Sequence, residues 1–110
     1  MIEFGDFRFE PAKRLLTRNT RSVVIAPKAL EILAVLVENA GQVVGKEDLL
    51  SIVWPDEVVE ESNLAVYISA LRKVLGETGG RTAYIETIPK RGYRFAASVS
   101  RPPSDRKSVV

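Results

Sequence analysis

The chain has no cysteine and no histidine. The first absence excludes a disulfide framework and any thiolate metal site. The second removes the commonest general base and the commonest metal ligand. Long apolar runs are missing as well: the longest, residues 32–37, is far short of the ~20 residues that a membrane-spanning helix needs, and the N-terminus does not have the make-up of a signal peptide. A cytoplasmic location is expected by default. No nucleophile–base pair, metal-ligand cluster or phosphate loop is visible, and Glu77-Thr78-Gly79-Gly80 lacks both the spacing and the lysine of a phosphate-cradling loop. A protein that is not an enzyme and carries no cofactor or metal is therefore expected.

What is present fits one domain with a single core: 110 residues, 45% hydrophobic and 27% charged. The net charge of +2 conceals a split, because residues 1–65 hold seven Lys/Arg against eleven Asp/Glu while residues 66–110 hold nine against three. A basic C-terminal half suggests a surface for a polyanion, although a basic tail alone would also produce it.

The stretch EESNLAVYISALRKVLG, residues 60–76, organises the rest. At 100° per residue Leu64, Ile68, Leu71 and Leu75 share one narrow arc, which predicts a helix with that stripe turned inward. The opposite arc carries Ser62, Asn63, Val66, Ser69, Ala70 and Lys73, with no acidic side chain between Ser62 and Lys73. Such a face can approach a polyanion closely, but it is also what an ordinary surface helix presents. Ser62 or Asn63 is a candidate N-cap; Arg72 and Lys73 suit the C-terminal end, and Gly76 suits the stop.

Before that stretch, residues 2–4, 7–9, 15–16 and 23–25 read as short antiparallel strands broken at Gly5-Asp6, Pro11 and Asn19-Thr20. Pro27 opens a mostly apolar helix that runs to about Asn39 and should be central. Val43-Val44 leads into a second helix, residues 46–54, with Gly45 at its cap, Leu49, Leu50 and Val53 inward and Pro55 at its close. Trp54 ends this helix at an acidic connection containing Asp56, Glu57, Glu60 and Glu61. The result is a helix-turn-helix with a long turn. Trp54 is equally a plain core aromatic at this point. Residues 84–88 and 93–99 read as a hairpin around Pro89-Lys90-Arg91-Gly92, with Thr87, Tyr93 and Arg94 beside its cationic tip. A hairpin of this kind could act as a wing on a nucleic-acid backbone, or could simply be solvated.

The segments LLSIVWPDEVVEESNLAVYISALRKVLGE and YIETIPKRGYRF, in that order and spacing, resemble the OmpR/PhoB-type winged-helix DNA-binding domains of bacterial transcription regulators. The resemblance covers about residues 4–97. It implies an α+β winged helix-turn-helix with an N-terminal four-stranded antiparallel sheet, three helices and a C-terminal β-hairpin wing, filling residues 1–99. It implies sequence-specific binding of double-stranded DNA for transcription regulation, with the helix (about 62–75) in the major groove and the wing (about 87–94) on the backbone or in the minor groove. By position, the DNA-facing residues would be Ser62, Asn63, Val66, Tyr67, Ser69, Ala70, Arg72 and Lys73 on the helix and Thr87, Lys90, Arg91 and Tyr93 on the wing, with Arg94 next to them. Trp54 matches a backbone-contacting position, and the loop 55–61, through Asp56, Glu57 and Glu60, one that can touch RNA polymerase. A winged helix kept purely for protein interaction is the alternative.

Ser69 and Ala70 stand where many members of this type carry long basic side chains, which removes bidentate guanine contacts there and leaves base preference to Asn63, Val66, Ala70 and the wing. Ala26 stands where a Ser or Thr cap is common. Residues 100–110, SRPPSDRKSVV, read as a linker or tail. With the domain first in the chain, the order resembles one-component regulators of the CadC/ToxR type. That resemblance implies a downstream sensor, membrane or repeat domain, an inner-membrane anchor in the full-length protein, and tandem binding to direct repeats.

Overall fold

The turn residues read from the sequence do reverse the chain in a computed structural model of the protein, which describes residues 2–75, 84–96 and 99. Strands β1 (Ile2–Phe4), β2 (Phe7–Glu10), β3 (Leu15–Arg18) and β4 (Arg21–Ser22) form an antiparallel sheet in sequence order. Phe7, Phe9 and Leu16 turn to the buried face while Arg8 stays outside, as the alternation requires. Asn19 and Thr20 both have positive φ, 50° and 71°, which suits a two-residue hairpin loop.

The fourth strand is not where the sequence suggested. It is Arg21–Ser22, and the chain leaves the sheet at residues 23–25 after a last bond from Val23 N–H to Leu16 O, 2.8 Å. The reason lies just beyond: Pro27 starts a helix, and Ala26 ahead of it is extended at φ −56°, ψ 142°. Val24 is left 94% exposed.

Helix α1 (Pro27–Glu38) buries Ala29, Leu30, Ile32, Leu33, Leu36 and Val37, and it packs against both other helices and the strand Gly92–Phe95. Its cap residue Ala26 makes no side-chain hydrogen bond. Residues 43–45 are not a mere lead-in: they form strand β5 (Val43–Gly45), which pairs with β7 (Gly92–Phe95), itself paired with β6 (Ile85–Ile88). The wing is thus the far part of a three-stranded sheet of order β5-β7-β6 and not a lone hairpin. Gly92 permits that pairing, since a Cβ there would lie 1.9 Å from Val44 O.

Helix α2 (Lys46–Val53) stops one residue short of Trp54, with Gly45 as its N-cap and Leu49 and Val53 buried; Leu50 is only half-buried. Helix α3 (Glu61–Leu75) follows and buries Leu64, Ile68, Leu71 and Leu75 as expected. Each of these contributes about 1.5–3 kcal/mol by leaving water. Because α3 begins at Glu61, Ser62 and Asn63 lie in its first turn instead of capping it, and Asn63 N–H bonds the Glu60 carbonyl at 3.0 Å.

An aromatic cluster joins the two sheets: Phe4 lies 5.6 Å from Phe7 and 5.0 Å from Phe95, and Phe7 lies 5.9 Å from Tyr84. The stop expected at Gly76, the loop at 77–81 and the tail at 100–110 fall outside the described residues, as does part of the expected strand beyond Phe95.

Candidate nucleic-acid interface

Packing of the leucine stripe decides which side of α3 meets solvent. Ser62, Asn63, Val66, Ser69 and Lys73 are exposed, Val66 by 64%, and Ala70 is half-buried. Ala65, which the sequence reading omitted, is exposed as well, on the flank of the helix between that front and the buried stripe. The acid-poor front is therefore a real surface, and its small side chains let the backbone come close to a partner.

Beside α3, the wing reverses at Pro89-Lys90-Arg91, where Arg91 N–H bonds Ile88 O at 3.0 Å and Lys90 has φ +64°. Proline in the second position and positive φ in the third describe a type II turn. Both cations are exposed. The tip is anchored from below: Lys46 N–H donates to Arg91 O at 3.1 Å, and Lys46 Nζ reaches Glu61 Oε1 at 3.3 Å, so one residue at the start of α2 touches both the wing and the start of α3. Nothing in the sequence marked Lys46 for this role, because it depends on β5 pairing with β7.

Cross-strand register divides the wing residues between two faces. Thr87 pairs with Tyr93 and Ile85 with Phe95, so these four share the face turned toward the core and α3, where Tyr93 is 8% exposed. Glu86 pairs with Arg94 on the other face, where their side chains form an ion pair and Arg94 Nε is sealed without a partner. Arg94 is thus separated from the other wing residues expected to meet DNA. Arg72, on α3, donates from Nε and Nη2 to Ile85 O (3.2 and 3.1 Å) and from Nη2 to Thr87 Oγ1 (2.6 Å).

Trp54 is buried at 8% exposure, its ring 5.6 Å from that of the half-buried Tyr67. Lys28 Nζ lies 5.7 Å above the indole and donates to Val53 O at 2.8 Å, closing the C-terminal end of α2 and pinning the Trp54 backbone nearby. The sequence reading missed Lys28. Asp56, Glu57 and Glu60 are exposed on the connection, and Val58 is fully exposed beside them. Among the described residues there is no group of three or more acidic side chains that could hold a metal.

A family model described as "Transcriptional regulatory protein, C terminal" matches residues 20–95. The transcriptional regulator HilA of Salmonella typhimurium is 42% identical over 92 residues, which are 84% of this chain and 16% of that protein. The solved DNA-binding domain of Escherichia coli CadC superposes with a TM-score of 0.79 at 28% identity, covering 90% of this chain and 94% of that one. The DNA-binding domain of Klebsiella pneumoniae RstA, solved in complex with the RstA box, superposes with a TM-score of 0.72 at 26% identity, covering 86% of this chain and 94% of that one.

Proposed function

Since the chain belongs to the family of transcriptional regulatory C-terminal domains, the OmpR/PhoB-type winged helices, we propose that it binds double-stranded DNA sequence-specifically to regulate transcription. The observation that carries this reading is the exposed, acid-free front of α3 held beside a fixed tip of two exposed cations. A major groove about 12 Å wide admits a helix, and small residues on its front allow close approach to base edges. Asn63 is the side chain there best suited to an adenine, and Val66 and Ala70 offer van der Waals contact to thymine methyls. Lys73, Lys90 and Arg91 neutralise phosphates, with Trp54 and Tyr67 packing along the same backbone. Thr87 and Tyr93 support the wing from its inner face, whereas Arg94 would have to exchange Glu86 for a phosphate.

Further partners belong to the same proposal. The exposed loop with Asp56, Glu57, Val58 and Glu60, bordering a groove lined by Trp54 and Val59, is a surface for RNA polymerase. Tandem binding with a second copy on direct repeats, and a further sensor, membrane or repeat domain, are proposed from the family resemblance; this chain spans 16% of HilA and 20% of CadC. No helix among the described residues is long and apolar enough to cross a membrane. A cytoplasmic site of action is proposed, with any membrane anchor lying in a longer full-length protein.

Selection of bound duplexes from a random pool tests the activity and returns the site together. The selected duplex should bind with an affinity that falls steeply as salt rises. Lys90→Ala combined with Arg91→Ala should weaken binding to all sequences and flatten the slope of log affinity against log salt by about 1.8, two phosphate contacts' worth. Recovery of no enriched sequence, or an affinity indifferent to salt, would refute the reading.

A further inference from the structure

Arg72 sits one turn from the C-terminal end of α3, where the family resemblance makes it a DNA-facing residue, yet its guanidinium is turned along the inner face of the wing. Nε and Nη2 converge on one carbonyl, that of Ile85, and Nη2 also donates to Thr87 Oγ1, one position further along the strand's inner face. We infer that Arg72 is a positioning residue, which sets the wing against the recognition helix so that both engage one duplex; the inference rests on the DNA-binding reading above.

Topology explains why such a tie is required. Among the described residues β6 is an edge strand of the β5-β7-β6 sheet, laddered to β7. The ladder through β7 and β5, together with the bond from Lys46 N–H to Arg91 O, fastens the wing to the start of α2. The buried Ile85 side chain adds packing but little direction, since apolar packing is not directional. A planar fork on a backbone carbonyl plus a hydroxyl fixes an angle as well as a distance. A lysine ammonium, a point charge on a flexible stem, cannot reproduce it. Lys73, the next residue, is exposed and is the cation this turn of helix offers to a phosphate. To serve as a phosphate ligand instead, Arg72 would have to give up its bonds to the wing.

The test uses the whole chain with a fluorescent duplex recovered from the random pool and an unrelated duplex of equal length. Arg72→Lys retains the charge and should still bind the selected duplex roughly tenfold or more weaker. In that background, adding Lys90→Ala and Arg91→Ala should cost much less than in the parent protein, because a misplaced wing has already lost its contacts. In the free protein, amide exchange at residues 85–88 should quicken in Arg72→Lys. Thr87→Val, a near-isosteric change that spares the core, should shift binding and exchange in the same direction, and Thr87→Ser should restore both. Parent-like binding by Arg72→Lys, with only Arg72→Ala lowering the salt slope by about 0.9, would make Arg72 a phosphate ligand and overturn the inference. Strictly additive losses with the wing pair would do the same. If the parent protein bound no duplex, the DNA-binding reading would fall, and unchanged exchange at 85–88 in both Arg72→Lys and Thr87→Val would then overturn the tether on its own.

Discussion

Lys90 shows how a single residue can serve the surface at the expense of the fold. Its φ of +64° is a conformation that glycine or asparagine occupies more easily in the third position of a type II turn. Replacement by glycine should therefore raise the unfolding free energy by about 0.5–1 kcal/mol, with the greater freedom of glycine in the unfolded chain limiting the gain. DNA affinity should fall in the same variant, and paired denaturant and anisotropy titrations would reveal the opposing signs. Asn63 is the converse case, exposed and without a structural role beyond its backbone bond to Glu60. Asn63→Ala should leave thermal stability nearly unchanged but narrow the affinity gap between selected and random duplexes by about 1–3 kcal/mol if it reads a base. Equal losses on both duplexes would remove it from the base-reading set.

Among the elements, α3 was the most legible because one property, the 100° periodicity of its leucines and isoleucine, determines both what it buries and what it presents. β5 was the least legible. Three residues, Val43–Gly45, carry no pattern that separates a strand from a lead-in, and their conformation is set by a partner about fifty positions along the chain. The displaced fourth strand has a related cause: residues 23–25 alternate in burial as a strand would, but the pull of the Pro27 helix start takes them off the sheet. The close approach of β5 and β7 predicts the weak point of the wing. Gly92→Ala would press a methyl into the Val44 carbonyl and should cost at least ~2 kcal/mol. Loss of amide protection should begin in β5 and β7, followed by hydrogen exchange.

For the molecule as a whole, the aromatic cluster of Phe4, Phe7, Tyr84 and Phe95 makes one body of a sheet formed early in the chain and a wing formed late. Phe95→Ala should cost about 3–5 kcal/mol. Unfolding followed by circular dichroism and by the single Trp54 should still give one coincident transition; separate transitions would mean that the two sheets fold independently. The charge split between the two halves was likewise visible at once, but not its use: Arg94 is matched by Glu86, Arg72 is turned into the wing, and Lys73, Lys90 and Arg91 remain exposed. Composition and periodicity by themselves determined the elements that satisfy their own pattern locally, namely the apolar α1, the two-faced α3, the turn residues and the cation-tipped hairpin. Only the tertiary structure decided which cations face solvent and what holds the wing beside the helix. Those outcomes depend on the register of β5, β6 and β7, a long-range pairing that no stretch of the chain encodes alone.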